Sequence, residues 1–149
     1  MPVLAQNKGV GNKYEILEKY QTGLLLLGQE VKAIRSHKAS LKGSFVKIIH
    51  NEAWWVGENI SPYQAGNMPK GYQPQRPRKL LLKKEELNRL IGKAQEKGLT
   101  LIPLSLYTKG VWIKMELAVT RGLKKVDRRE KLKEKEFKRR KAKLEGRRM

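Results

Sequence analysis

The spacing of apolar residues along the 149-residue chain changes several times, and each change predicts an element. Residues 14–27 carry Tyr14, Ile16, Leu17, Tyr20 and then an unbroken Leu24 to Leu27 run. That pattern predicts a strand or strand pair bent near Gly23, with 24–27 as a buried strand. In 28–38 the period shifts: Val31 and Ile34 fall three apart, so a short helix lays one thin face on a core, and Lys32, Arg35 and Lys38 line up on another face. Residues 44–50 alternate around Phe45, Val46, Ile48 and Ile49, and 53–60 follow a turn at Asn51 and Glu52, which predicts a hairpin. Trp54 and Trp55 point to opposite faces of that strand, so at most one is core and the other is a candidate to stack on a base.

Residues 61–78 contain Pro62, Pro69, Pro74 and Pro77 with Gly66 and Gly71, which forbid a helix and predict a long loop ending in a cationic rim of Arg76, Arg78 and Lys79. Residues 80–98 have helical spacing through Leu87, Leu90, Ile91 and Ala94, acidic Glu85 and Glu86 in the first turn, and Gly98 as the stop. Two alternating strands close the pattern, 100–108 and 111–120, joined by a Lys109-Gly110 turn. Val111, Ile113, Met115, Leu117 and Val119 share one face of the second strand. Trp112, Lys114, Glu116, Ala118 and Thr120 share the other, where Lys114 is a candidate ligand contact. Hairpins rather than strand-helix-strand repeats predict a mainly β fold with short helices, a small antiparallel OB-type β-barrel, with a split sheet carrying one packed helix as the alternative.

Residues 1–13 show little periodicity and read as a flexible or loosely docked arm whose Asn7, Lys8 and Lys13 are candidates for phosphate contact. The barrel then occupies 14–122 and a tail 123–149. From Arg121 onward the chain holds 15 Lys and Arg against 5 Asp and Glu. Leu132, Phe137, Ala142 and Leu144 form no amphipathic stripe, which argues against a membrane-surface helix. The residues are nonetheless good helix formers, and Glu134 precedes Lys138 and Glu136 precedes Arg140 at the favourable spacing. The expectation is a tail that is disordered alone and helical once phosphates neutralise it.

Charge changes the picture most. Lys and Arg number 34 against 14 Asp and Glu, a net charge of +20, so the partner expected is a polyanion. Cys is absent, removing disulfides, thiolate metal sites and thiol nucleophiles. No signal-peptide pattern and no apolar run of spanning length occurs, so a cytoplasmic protein is expected. His37 and His50 stand without a ligand or triad pattern and there is no GxxxxGK loop, so catalysis is not expected. Glu30, at the start of the short helix, accepts hydrogen bonds only, from base amino groups or from a neighbouring Arg. The bland reading is a capped surface helix with a solvated basic face.

Several segments in order carry a resemblance: Gly28-Gln29-Glu30-Val31-Lys32 with Ala33-Ile34-Arg35, Gly43-Ser44-Phe45, Asn59 to Tyr63, Arg76 to Leu82, Pro103 to Tyr107, and Arg121-Gly122 with Asp127-Arg128-Arg129. Over nearly its whole length the chain resembles the small protein B family, the SsrA-binding proteins that partner transfer-messenger RNA (tmRNA, SsrA RNA) in trans-translation, the bacterial ribosome rescue pathway. Two departures stand out. Gln21-Thr22-Gly23 replaces a family Glu-Ala-Gly, and Gly122-Leu123-Lys124 replaces Gly-Lys-Lys.

The resemblance implies a barrel that binds the tRNA-like domain of tmRNA through Asn7, Lys8, Glu30, Val31, Lys32, Arg35, Lys38, Arg76, Arg78, Lys79, Leu81 and Lys114. It implies a tail that enters the ribosome, with Gly122, Lys124, Lys125, Asp127, Arg128 and Arg129 by the decoding nucleotides. Lys131, Lys133, Phe137, Lys138 and Arg139 would then lie along the vacant mRNA channel. No cofactor is implied. The partners are tmRNA, the ribosome with its 16S rRNA, and elongation factor Tu through charged tmRNA, with a monomeric protein. A basic ribosomal protein or general RNA chaperone is the alternative function, and a DNA-binding OB module a third.

Overall fold

The computed structural model describes residues 2–64, 66, 68–123 and 125–147. Its elements in order are β1 (Val3–Gln6), α1 (Val10–Lys13), β2 (Tyr14–Leu24), α2 (Gly28–Arg35), β3 (Ala39–Ser40), β4 (Phe45–Ile49), β5 (Glu52–Val56), β6 (Asn59–Ile60), β7 (Arg78–Leu81), α3 (Lys84–Gln95), β8 (Leu99–Lys109), β9 (Trp112–Gly122) and α4 (Lys125–Arg147).

Every pairing is antiparallel, and the order β8-β4-β5-β7-β2-β9 closes on itself because β9 also pairs with β8. The result is the small OB-type barrel expected from the hairpin pattern. Strand β8 makes the closure possible by length. One edge runs against β9 throughout, while the opposite edge takes β4 near its start (Val46 opposite Leu101) and β1 near its end (Val3 opposite Tyr107). The β4–β5 hairpin turns on His50 and Asn51, both at positive φ (50° and 61°), which suits a two-residue connection matched to strand twist.

The core fills the ring with Val46, Trp55, Leu80, Leu101, Leu106, Met115, Leu117 and Val119, covered at the sides by Ala33 and Ile34 of α2 and Leu90 of α3. Trp55 is the buried member of its pair and Trp54 is half-buried. The Trp55 indole Nε1 donates to Ser44 Oγ at 3.0 Å, and Ser44 Oγ donates to Leu41 O at 2.6 Å, so no polar atom of that trio is stranded.

Four expectations are corrected. The Leu run does not form a buried strand: β2 ends at Leu24, and Leu25 and Leu27 are 57% and 39% exposed, because Leu27 turns the chain into α2 as its N-cap. The helix expected over 80–98 starts four residues later, at Lys84, since Leu80 and Leu81 belong to β7. Val111 sits at the hairpin tip, 78% exposed, and not on the core face. Residues 3–6, read as an arm, add β1 to the sheet, and the Asn7 side chain Nδ2 donates to Pro103 O at 3.0 Å. Residues 125–147, a run of helix formers, make up α4. Among the described residues no helix is long and apolar enough to cross a membrane.

Candidate nucleic-acid interface

Helix α2 is held at both ends by the backbone. Glu30 Oε1 accepts from the Leu27 N–H at 2.8 Å, capping the start. At the other end His37 takes a left-handed conformation (φ 61°), its N–H bonds Ile34 O at 3.0 Å and the Lys38 N–H bonds Ala33 O at 2.9 Å, a closed Schellman terminus. The His37 Nδ1 lies 3.1 Å from Leu4 O, tying the helix end to β1. Between these anchors Ala33 and Ile34 are buried while Lys32, Arg35 and Lys38 are exposed, as the three-residue spacing predicted.

The same helix aims Glu30 inward. Glu30, Glu58 and Arg78 are all fully buried, and with Arg76 and Tyr72 they form one network. Arg78 Nε donates to Glu30 Oε2 at 2.9 Å, and Arg78 Nη1 reaches Glu58 Oε1 at 3.0 Å and Pro74 O at 2.8 Å. Arg76 pairs with the same Glu30 carboxylate, Nε to Oε2 at 3.1 Å. The Tyr72 hydroxyl accepts from Arg78 Nη2 at 2.8 Å and has one proton for Glu30 Oε2 (3.1 Å) and Ile60 O (3.0 Å).

Burial raises the Glu30 carboxyl, but bonds from Arg76, Leu27 and Arg78 together outweigh it and hold the pKa below its ordinary value. Glu58 has Arg78, whose charge is already shared, and a backbone N–H, and among the described residues its Oε2 has no hydrogen-bond partner; burial outweighs these and pushes its pKa up to about 7, with Glu30 adding to the rise.

Of the cationic rim expected at the end of the long loop, Arg78 is internal and Arg76 and Lys79 are partly covered. Arg78 is 0% exposed and Arg76 31%, and Lys79 pairs with Glu52 at 3.0 Å. Two positive side chains after a proline-rich loop looked solvated; two carboxylates distant in sequence pull them in instead. The network pins the loop over α2, with Ser61 N–H bonded to Lys38 O and Ile60 N–H to Pro74 O, both at 3.0 Å.

Other predicted residues do meet at the surface. Gly23 of β2 lies opposite both Lys114 and Leu81, and a Cβ there would sit 3.2 Å from Leu81 Cβ and 3.6 Å from Lys114 Nζ. Leu81 is 49% exposed, and Gln21 and Trp112 (68% exposed) extend the same face. Arg35 Nη2 donates to Val111 O at 2.9 Å, joining the basic face of α2 to this hairpin tip. Lys38 Nζ donates to Tyr63 O at 3.1 Å and sits 5.7 Å from the Tyr63 ring centroid. Val31 is half-buried on α2. The strand pattern placed Trp112 on the outer face of β9 but did not reveal how far this tip residue is uncovered.

Asn7, Lys8 and Gly122 lie elsewhere, toward the other end of β2 and β9, where Tyr14 pairs with Gly122. At this end Leu123 N–H bonds Lys13 O at 2.9 Å, and α4 leaves the barrel beside α1. Arg129, Lys133, Phe137, Lys138 and Arg139 are exposed on α4. Lys124 lies outside the described residues, as do the side chains of Lys125, Asp127, Arg128 and Lys131.

The family model described as SmpB protein matches residues 4–147. The chain belongs to the SmpB family. An SsrA-binding protein of Gloeobacter violaceus is 48% identical over 137 residues, covering 92% of this chain and 90% of the relative. Those of Thermosynechococcus vestitus and Geobacillus thermodenitrificans are 46% and 47% identical over the same length, with 92% of this chain and 90% and 88% of theirs covered. A solved SmpB chain described under "tmRNA-SmpB: a journey to the center of the bacterial ribosome" superposes with a TM-score of 0.66 at 42% identity, over 84% of this chain and 87% of that one. Membership in the SmpB family sets the surface features above in an RNA-binding frame.

Proposed function

We propose that this protein is a tmRNA-binding protein of trans-translation, which holds the tRNA-like domain of tmRNA on its barrel and carries it to stalled ribosomes. The family match over residues 4–147 carries the reading, and the division of the molecule into two cationic ends supplies a physical route. At one end Lys114, Leu81 and Trp112, with Lys32, Arg35 and Lys38 of α2, offer charge, an apolar contact and a ring to folded RNA, which is read through backbone and shape more than through base edges. Glu30 and Arg78 act as positioning residues that fix α2 and Arg76. At the other end α4 projects as a cationic rod. In an empty mRNA channel Lys133, Lys138 and Arg139 pair with phosphates that bound mRNA would shield, while Gly122, Lys124, Lys125, Asp127, Arg128 and Arg129 lie by the decoding nucleotides. The protein then stands where an anticodon arm would be. Elongation factor Tu joins through charged tmRNA, and the work is done by a cytoplasmic monomer without bond chemistry.

The test is binding of the full chain to a tRNA-like-domain transcript, with an rRNA fragment and single-stranded DNA as competitors. The same assay is run on a chain with Lys133, Lys138 and Arg139 changed to Gln. Selective binding that survives those changes supports the assignment of the barrel to tmRNA. Equal competition by rRNA would favour the general RNA chaperone.

A further inference from the structure

Outward side chains of β4, β5 and β7 form a row across the barrel wall whose ring has no role in that reading. Strand β5 turns Ala53 and Trp55 into the core and Glu52, Trp54 and Val56 outward. Trp54 lies opposite Lys47 of β4 on one side and Lys79 of β7 on the other. Beyond Lys79 comes Leu25, just past the end of β2, whose N–H bonds Lys79 O at 2.9 Å and whose side chain is 57% exposed. The row runs Lys47, Trp54, Lys79, Leu25, three steps of about 4.8 Å and so about 14 Å in all.

Three observations narrow what this row can hold. The first is the ring itself. Trp55 spends its indole N–H on Ser44 Oγ, whereas the Trp54 N–H makes no hydrogen bond among the described residues and is open to solvent. A half-buried indole on the outside of a central strand thus presents a face for stacking with a free donor at its edge. The second is charge. Lys79 is neutralised by Glu52 at 3.0 Å, but Lys47 is exposed and has no ion pair among the described residues. The third is continuity. Leu81 follows Lys79 by two residues on the same outward side, one diagonal step of about 7 to 8 Å from Trp54, and it lies opposite Gly23, which lies opposite Lys114. The row is therefore an extension of the face proposed above for folded RNA.

A regular duplex keeps its bases stacked on one another and would bring Lys47 a phosphate but Trp54 nothing flat. An acidic peptide would likewise use the cation and leave the ring idle. An unpaired base on a phosphate backbone uses both. We infer that Trp54 stacks on an unpaired base of the tRNA-like domain, with Lys47 on a neighbouring phosphate, an inference that rests on the assignment of the Lys114 and Leu81 face to that domain. Trp54 is then a specificity-determining residue: it favours, among folded RNAs that fit the barrel, those that carry an extruded nucleotide within reach of β5.

The test uses the full chain and a tRNA-like-domain transcript. Affinity is measured by filter binding for the wild type and for Trp54→Leu, Trp54→Phe and Lys47→Gln, with circular dichroism confirming the fold, and 2′-hydroxyl acylation reports which nucleotides the protein holds. Trp54→Leu, which leaves every charge in place, is expected to weaken binding about tenfold at an unchanged salt slope. It is also expected to lose the protein's effect at one unpaired nucleotide while the other protections stay. Trp54→Phe keeps a ring and is expected to remain within about threefold of the wild type, and Lys47→Gln to lower the salt slope by about one. If Trp54→Leu fails to fold, a transcript carrying 4-thiouridine is irradiated with the wild-type chain, and an adduct on Trp54 is expected. Adducts confined to the Lys114 and Leu81 face would overturn the inference. So would a folded Trp54→Leu that binds within about twofold of the wild type, which would leave the row to a protein partner, or equal losses in Trp54→Leu and Trp54→Phe. Failure of the wild-type chain to prefer the transcript over an rRNA fragment would instead count against the assignment of the face to the tRNA-like domain.

Discussion

Arg78 and Glu30, 48 residues apart in the chain and both closed off from solvent, meet through the Arg78 Nε bond to Glu30 Oε2 at 2.9 Å. The pair joins β7 to α2, so the orientation of the exposed Lys32, Arg35 and Lys38 depends on a contact buried beneath them. A buried pair is costly to assemble but more costly to break, because the survivor stays charged and dry.

Arg78→Met is therefore expected to destabilise the fold by about 3 to 5 kcal/mol. It strips Glu58 of its counter-charge and leaves Glu30 with Arg76 and the Leu27 N–H. Urea unfolding followed by tryptophan fluorescence measures this. Adding Glu58→Gln to Arg78→Met is expected to restore part of the loss. A single-variant cost below about 1 kcal/mol would remove the pair from the scaffold.

Glu58 gives stability a pH dependence. Its pKa rises from 4.5 to about 7 on folding, so the folded chain binds the proton more tightly than the unfolded one. The stabilisation is fully present below about pH 4.5 and is lost as pH climbs through 7. Glu30 has the opposite sign, its contribution being lost only as pH falls through its depressed value. The difference in unfolding free energy from urea titration between the protein and Glu58→Gln is thus expected to shrink from pH 5 to pH 7.5, by at most about 1.4 kcal/mol per pH unit. A difference independent of pH would mean that Glu58 ionises normally.

These two carboxylates also mark where sequence reading stopped. The barrel was legible because its strands alternate cleanly and are joined by short turns, as from Trp112 onward in β9. The basic face of α2 was legible because three-residue spacing is a local property. Whether Arg78 faces water is not local: it depends on Glu30 and Glu58, brought in from other elements by closure of the ring. The same holds for Leu25 and Leu27, whose apolar run promised burial but crosses from β2 to α2 over open surface. Leu81 was named on resemblance and Lys114 already on the alternation of its strand, and their placement on either side of Gly23 emerges only from register.

Gly23 lies between those two residues and puts no side chain into the space they share. Lys114→Glu is expected to weaken tRNA-like-domain binding at least tenfold and to flatten its salt dependence, with stability within about 0.5 kcal/mol. Gly23→Ala tests the geometry separately, since its Cβ would press on Leu81 at 3.2 Å and make that exposed side chain give by a few tenths of an ångström. A modest loss of affinity with an unchanged salt slope is expected, measured by filter binding from 50 to 300 mM salt. An unchanged affinity in Lys114→Glu would remove this face from the tmRNA site.

Helix α4 spans Lys125–Arg147, and its cations outnumber its acids heavily, so the rod repels itself as it forms. Glu134 before Lys138 and Glu136 before Arg140 offset part of that repulsion, by about 0.2 to 0.5 kcal/mol each. Screening should supply more. Ellipticity at 222 nm of the full chain is expected to grow more negative from 10 to 300 mM salt, over which the Debye length falls below about 8 Å. Replacing Glu134 and Glu136 with Lys is expected to lower helicity at 10 mM salt and to leave a larger rise on adding a polyphosphate. A helix signal insensitive to both salt and these substitutions would show that contacts with α1, rather than charge balance along the rod, hold α4 in shape.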